Sequence, residues 1–179
     1  VIVAFSAGLD STVLLKLAVL ALGRPRVLAI TGRSPSLPQA EHNSAAALAA
    51  ECGARHEFFD TREFDDPRYL ANPTDRCFFC KDDLFTHLNR LAAERGIAVV
   101  LCGTNVEDLG DFRPGLKAGK EHGVQAPLAD EGLTKADVRA LAVHFGLSVR
   151  DKPASPCLSS RVAYGEEITP DKLARIDAA

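Results

Sequence analysis

Three groups of residues in this 179-residue chain have the types and spacing to do chemistry. The first is Ser6-Ala7-Gly8-Leu9-Asp10-Ser11-Thr12, which follows the apolar run Val1–Phe5 and precedes a long apolar stretch. A buried strand that feeds a glycine turn and then a helix aims backbone N–H groups at one spot, which suits a phosphate. The hydroxyls of Ser6, Ser11 and Thr12 would add donors. Asp10 would repel phosphate unless Mg²⁺ bridged them. Asp10 and Ser11 would serve equally as plain helix caps.

The second group is sulfur. Cys77-Phe78-Phe79-Cys80 is a C-x-x-C pair flanked by Arg76 and Lys81 at the start of an expected helix. Cationic neighbours and a helix N-terminus both lower thiol pKa values. The pair could be half a zinc site, a redox couple or two ordinary cysteines. The absence of a second C-x-x-C argues against a closed four-cysteine zinc site. Cys157 lies in Lys152-Pro153-Ala154-Ser155-Pro156-Cys157-Leu158-Ser159-Ser160-Arg161, a loop stiffened by two prolines. With Lys152 and Arg161 nearby it is a candidate thiolate. Cys77, Cys80 and Cys157 together could hold three irons of a cluster and leave one open. Cys52 and Cys102 read as packing residues, and the five histidines show no ligand spacing.

The third group is the loop Gly103–Gly115, with Glu107, Asp108, Asp111 and Arg113. Acids and an arginine beside a phosphate site suit metal and substrate contacts, although a solvated turn has the same composition. Arg33 and Ser34 could hold an adenine or ribose, or simply join a strand to a helix.

The elements that must position these groups alternate. Expected strands are Val1–Phe5, Arg26–Thr31, Arg55–Phe59, Ile97–Cys102 and a short Val124–Leu128. Expected helices are Leu9–Leu22, about Pro38–Glu51, Cys80–Arg95, Thr134–Phe145 and one starting at Thr169-Pro170. Asp60–Arg76, Gly103–Gly123 and Val149–Gly165 read as irregular. Strand–helix alternation implies an α/β fold, a doubly wound, Rossmann-like parallel sheet of five strands with helices on both faces. In such sheets the ligand sits beyond the carboxyl ends of the strands at the switch point, where the first and third groups fall.

Composition sets bounds. A 46% hydrophobic and 25% charged chain is globular, and a net charge of -3 with pI near 6.0 gives no basic footprint for nucleic acid. No apolar run reaches membrane-spanning length. Five cysteines, an odd number, without a visible signal segment suggest reduced thiols and a cytoplasmic setting. The chain opens inside an expected strand and stops inside an expected helix, so it is expected to be part of a longer protein.

Ser6, Gly8, Asp10, Ser11 and Thr12 resemble the pyrophosphate loop, SGGxDS, of the ATP pyrophosphatase (PP-loop) superfamily, with Ala7 for the first glycine. Alanine suits that position if its φ stays negative. Taken in order, "SAGLDST", "SPSLP", "RCFFCK", "GTNVEDLGDFRPG", "APLADEGLTKADVRALA" and "DKPASPCLSSRVAYGEEIT" resemble the LarE-type ATP-dependent sacrificial sulfur transferases over nearly the whole chain. The resemblance implies a PP-loop domain over 1–150, and over 151–179 a cysteine-bearing loop and the start of a truncated C-terminal region. It implies an enzyme that uses ATP and Mg²⁺, bound at Ser6–Thr12, to adenylate a carboxylate of pyridinium-3,5-biscarboxylic acid mononucleotide. A sulfur nucleophile then displaces AMP and leaves a thiocarboxylate, on the way to a nickel-pincer cofactor.

In family members with one cysteine, the residue matching Cys157 gives up its sulfur and becomes dehydroalanine. In members with the C-x-x-C, three cysteines bind a [4Fe-4S] cluster whose open iron carries the sulfide. With Cys77, Cys80 and Cys157 present, the cluster version is expected here. Asp108, Asp111, Arg113 and Arg161 are the expected substrate contacts, and the full-length protein is expected to be a homo-oligomer. Three rivals remain: a PP-loop tRNA thiolase with such a cluster, an ammonia-using adenylating synthetase domain, and a non-catalytic nucleotide-binding module.

Overall fold

The computed structural model describes residues 1–110 and 113–179. In chain order the elements are β1 Ile2–Ala4, α1 Leu9–Leu22, β2 Leu28–Arg33, α2 Gln39–Cys52, β3 Arg55–Asp60, α3 Pro67–Leu70, α4 Arg76–Glu94, β4 Val100–Cys102, α5 Pro114–Glu121, α6 Pro127–Asp130, α7 Lys135–His144 and α8 Pro170–Asp177. The strands form one parallel sheet in the order β3-β2-β1-β4.

Period-2 alternation divides the core. Val3, Ala29 and Leu101 face one side, packing with Val13 and Leu14 of α1, Leu48 of α2 and Val138 of α7. Ile2, Leu28, Ile30 and Val100 face the other, packing with Phe85 and Leu88 of α4 and Ala118 of α5. Helices thus cover both faces, as the unbroken apolar strands require. α2 stops at Gly53, whose φ of 83° closes the helix by donating to the Ala49 and Ala50 carbonyls. α7 starts on the expected capping box, Thr134 with Asp137. None of the described helices is long and apolar enough to cross a membrane.

Three expectations need correction. The sheet has four strands, not five. The segment 124–128 makes only an isolated bridge between Gln125 and Leu101, and Pro127 then opens the helical turn α6, because a proline cannot donate to a ladder but fits the first helical position. The long helix begins at Arg76, not Cys80, so Cys77 and Cys80 are both inside it, one turn apart. The segment 103–123 is not all loop, since α5 lies within it. A Cβ on Gly115 would sit 2.9 Å from Lys81 Cγ and 3.4 Å from the Cys77 carbonyl oxygen. Its glycine lets α5 lie against α4 and does not mark a turn.

A third, smaller core joins Tyr69 to Leu158, Val162, Ile168 and Leu173. It anchors the cysteine-bearing C-terminal segment to the region around α3.

Candidate functional site

β1 lies between β2 and β4, so the chain leaves it in one direction toward β2 and later returns on the other side. The crevice beyond β1 and β4 is therefore the switch point. A cavity of about 570 Å³ opens there. Ser6, Gly8, Asp10, Ser34, Cys80, Asp108, Arg113 and Cys157 line it, together with Glu41, Glu63, Lys81, Lys135, Arg139 and Lys152.

The turn before α1 is shaped by its own side chains. Gly8 is the N-cap of α1. Its carbonyl accepts from Ser11 Oγ at 3.1 Å and Thr12 Oγ1 at 2.8 Å, and the Ser6 N–H donates to Ser11 Oγ at 3.3 Å. Ser11 and Thr12 are buried, at 5% and 0% exposure. Their hydroxyls therefore hold the turn, and the backbone N–H groups of the helix start are left to meet an anion. Ala7 departs from the sequence reading: its φ is +58°, not negative, and it is wholly buried. A left-handed alanine costs about 1–2 kcal/mol. Lys152 Nζ donates to the Ala7 carbonyl at 3.0 Å and to Glu41 Oε2 at 2.5 Å, which braces this conformation.

Asp10 is held on both oxygens. Asn105 Nδ2 donates to Oδ1 at 3.1 Å, and Lys135 Nζ makes a short contact with Oδ2. In this arrangement Asp10 does not fit the role of an Mg²⁺ ligand. Asn105 shapes the opposite loop as well: its Oδ1 accepts from the Glu107 and Asp108 N–H groups at 3.0 and 3.2 Å. Asp108 pairs with Arg113 Nη1 at 2.8 Å. Asp111 lies outside the described residues.

At the other end of the cavity, buried hydroxyls tie the cysteine loop down. Ser36 Oγ, Tyr69 Oη and Ser159 Oγ form a triangle with sides of 2.6, 2.7 and 2.8 Å. The Leu158 N–H donates to the Ser36 carbonyl at 2.9 Å. Arg76, 2% exposed, donates to Asn72 Oδ1 at 3.0 Å, to the Ser159 carbonyl at 2.5 Å and to Cys77 Sγ at 3.7 Å. Burial opposes the Arg76 charge, but Cys157 and Cys77 beside it leave its pKa raised. Burial, with Glu63 nearby, pushes the Cys80 thiol up to about 12, and burial pushes that of Cys52 up to about 11.

All five thiols are free, and only Cys157 is exposed. Iodoacetamide at pH 8 should therefore label Cys157 before Cys80 or Cys52, because the thiolate is the reacting form. Peptide mass spectrometry over a time course reads the order, and Cys80 labelled first would contradict the geometry.

The structure thus gathers Ser6, Gly8, Asp10, Ser34, Asp108, Arg113, Cys80 and Cys157 around one cavity. Ser11 and Thr12 stand behind its wall. Arg33 pairs with Asp60 at 2.6 Å away from it, and Cys77 and Arg161 are not on its lining. Among the described residues, no three His, Cys, Asp or Glu side chains stand close enough to hold a metal ion. Cys80 and Cys157 share the wall, and Cys77 lies one turn from Cys80, but the three thiols are not a closed ligand set.

Sequence reasoning missed Asn105, Lys135, Arg139, Glu41 and Glu63. Lys152 reads in sequence as a neighbour of Cys157, yet its ammonium braces the turn before α1. Lys135 had one local signal, its place directly after the cap Thr134 and so at a helix start.

No model of a protein family matches the chain. It is 47% identical over 178 residues, 99% of its length, to an uncharacterized protein of Synechocystis, and covers 66% of that protein. It is 40% identical over 179 residues, its whole length, to the pyridinium-3,5-bisthiocarboxylic acid mononucleotide synthase of Lactiplantibacillus plantarum, and covers 65% of it. An uncharacterized protein of Methanocaldococcus jannaschii is 28% identical over 177 residues, with 66% of it covered. The chain spans just under two thirds of the length of each of these relatives.

Proposed function

We propose that the chain belongs to the LarE-type family of pyridinium-3,5-bisthiocarboxylic acid mononucleotide synthases, one of which it matches at 40% identity over its whole length, and that it is the ATP-binding and sulfur-donating part of such an enzyme. On this reading its fold is the PP-loop ATP pyrophosphatase fold. The domain over 1–150 activates the substrate, and the segment 151–179 brings the cysteine. It works in the cytoplasm as part of a full-length homo-oligomer, on a small pyridinium mononucleotide and not on nucleic acid.

One observation carries the reading: a single cavity joins the turn before α1 to Cys157. A phosphate-binding turn and a thiol that share one space suit a reaction whose two halves share an acyl group. ATP enters as its magnesium complex. The helix N-terminus and the cavity-lining cations Lys135 and Arg139 face the β- and γ-phosphates, where negative charge builds as pyrophosphate leaves. A substrate carboxylate oxygen attacks the α-phosphorus, the bond to pyrophosphate breaks, and an acyl adenylate forms. A sulfur nucleophile at the Cys157 end attacks the acyl carbon. The C–S bond forms, the C–O bond breaks, and AMP leaves with the electron pair.

Cys77, Cys80 and Cys157 are the thiols that would hold a [4Fe-4S] cluster, which when bound supplies a sulfide on its open iron. Their soft donor type fits such a cluster, and as they stand the three thiols are not a closed ligand set. The chain's own residues hold that loop in place through Ser159, Ser36 and Tyr69 and keep a cation, Arg76, beside the thiols.

The test is product analysis with the full-length protein. AMP and pyrophosphate should form from ATP only when pyridinium-3,5-biscarboxylic acid mononucleotide is present. ADP as the product, or turnover indifferent to that substrate, would overturn the reading.

A further inference from the structure

Four carboxylates among the described residues line the cavity, and three of them have a cation. Asp10 pairs with Lys135, Glu41 with Lys152 and Asp108 with Arg113. Glu63 has no such pair. It is 3% exposed, and its Oε2 is the one buried side-chain oxygen among the described residues without a hydrogen-bond partner. A buried carboxylate that has lost its water and gained nothing is destabilising, so its retention asks for a ligand that meets it.

Glu63 sits in the 3₁₀ turn Glu63–Asp65, just beyond the end of β3. It shares the cavity wall with Ile30, Gly32, Thr61, Cys80 and Leu84. Cys80 and Phe64, the residue next to Glu63, pack against the small core that holds Leu158, the residue next to Cys157, which puts Glu63 toward the sulfur end. Among the described residues, no third metal-ligating side chain joins Glu63 and a cysteine there. One carboxylate on a largely apolar wall suits a flat organic cation, whose spread charge needs apolar contact as well as a counter-charge.

We propose that Glu63 is the counter-charge for the ring cation of the substrate, an N-substituted pyridinium, held at the Cys80–Cys157 end of the cavity. The inference rests on the substrate class argued above. The nitrogen of such a ring carries a substituent in place of a proton, so it has no N–H to donate and charge must do the recognising. Neutral aromatic acids of the same shape are disfavoured, because binding them leaves the buried carboxylate unmet.

Equilibrium binding to the full-length protein tests this with two probes of nearly the same shape, nicotinic acid mononucleotide and its reduced 1,4-dihydro form, whose ring is neutral. The wild type should bind the cationic form at least about tenfold more tightly. Glu63→Gln should bring the two affinities within about twofold of each other while keeping that for the neutral form, which also shows the cavity intact. Glu63→Asp, which retains the charge, should keep a preference. No preference in the wild type, or an unchanged preference in Glu63→Gln, would overturn the proposal. So would a metal that the wild type retains and Glu63→Gln does not. AMP formation with the pyridinium biscarboxylate is measured in parallel. Its absence would sink the proposed reaction and leave the cation preference standing. Its presence without any cation preference would sink the role of Glu63 alone.

Discussion

Cys157→Ala is expected to stop thiocarboxylate formation, by at least roughly a thousandfold, while leaving pyrophosphate release within a few-fold of the wild type. The split follows from geometry. The proposed adenylating parts, Gly8, Lys135 and Asn105, are carried by the turn before α1, the start of α7 and the loop after β4, whereas Cys157 lies on a separate loop. Removing that exposed thiol takes away the sulfur end and leaves the phosphate end assembled. The acyl adenylate should then accumulate, and quenched-flow separation of adenylate, AMP and thiocarboxylate reads it. The wild-type protein decides how sulfur is held. Iron and acid-labile sulfide in anaerobically purified protein, lost in Cys77→Ala, are the expected result. Dehydroalanine at position 157 after one turnover, with no iron, would place the sulfur on Cys157 itself. Loss of pyrophosphate release in Cys157→Ala would overturn the division into two ends.

Gly103→Ala should also have a large effect, by a different route. The new Cβ would lie 2.8 Å from the Ser11 nitrogen, 2.9 Å from Ser11 Cα and 3.0 Å from the Asp10 carbonyl carbon. These are backbone atoms in the first turn of α1, so no side chain can swing away. Either β4 or the helix start must shift. Overpacking of this kind costs about 1–3 kcal/mol, which in a chain of this size lowers Tm by roughly 2–12 °C. Because the displaced atoms belong to the turn proposed to receive the phosphates, ATP–pyrophosphate exchange should fall by about a hundredfold. Gly110→Ala is the control, since its Cβ meets nothing within 4 Å. Equal exchange activity in the two variants would show that close approach of β4 to α1 does not set the site.

Much of this was legible from residues alone. An apolar strand, a glycine turn and a capped helix start announce themselves locally, and Ser6–Asp10 lie where that logic puts them. The Cys157 loop was also legible, because two prolines and a cysteine between cations have few other uses. Contacts between distant residues were hidden. Lys135 meets Asp10 across 125 residues, and Lys152 meets Glu41 across 111. No local pattern encodes either pair. The missing strand and the unexpected α5 have opposite causes: Pro127 is passed over inside an expected strand, whereas the glycines of 103–123 are taken as marks of a loop. Pro127 in fact starts a helical turn, and Gly115 makes room for Lys81. Ala7 misled for the opposite reason. Alanine signals an ordinary φ, and only the tertiary brace from Lys152 holds it left-handed.

The triangle of Ser36, Tyr69 and Ser159 bears on ionic strength. Three hydroxyls that each donate once and accept once close a ring with no net charge, shut away from solvent. Dissolved ions have nothing there to screen. The end beside the turn before α1 is held instead by Asp10–Lys135, Glu41–Lys152 and Asp108–Arg113, and the side chains of the first and last of these pairs reach water. At physiological salt the Debye length is about 8 Å, and it shortens as salt is added. Salt therefore loosens the half of the cavity beside the turn before α1, while the half beside Cys157 keeps its shape.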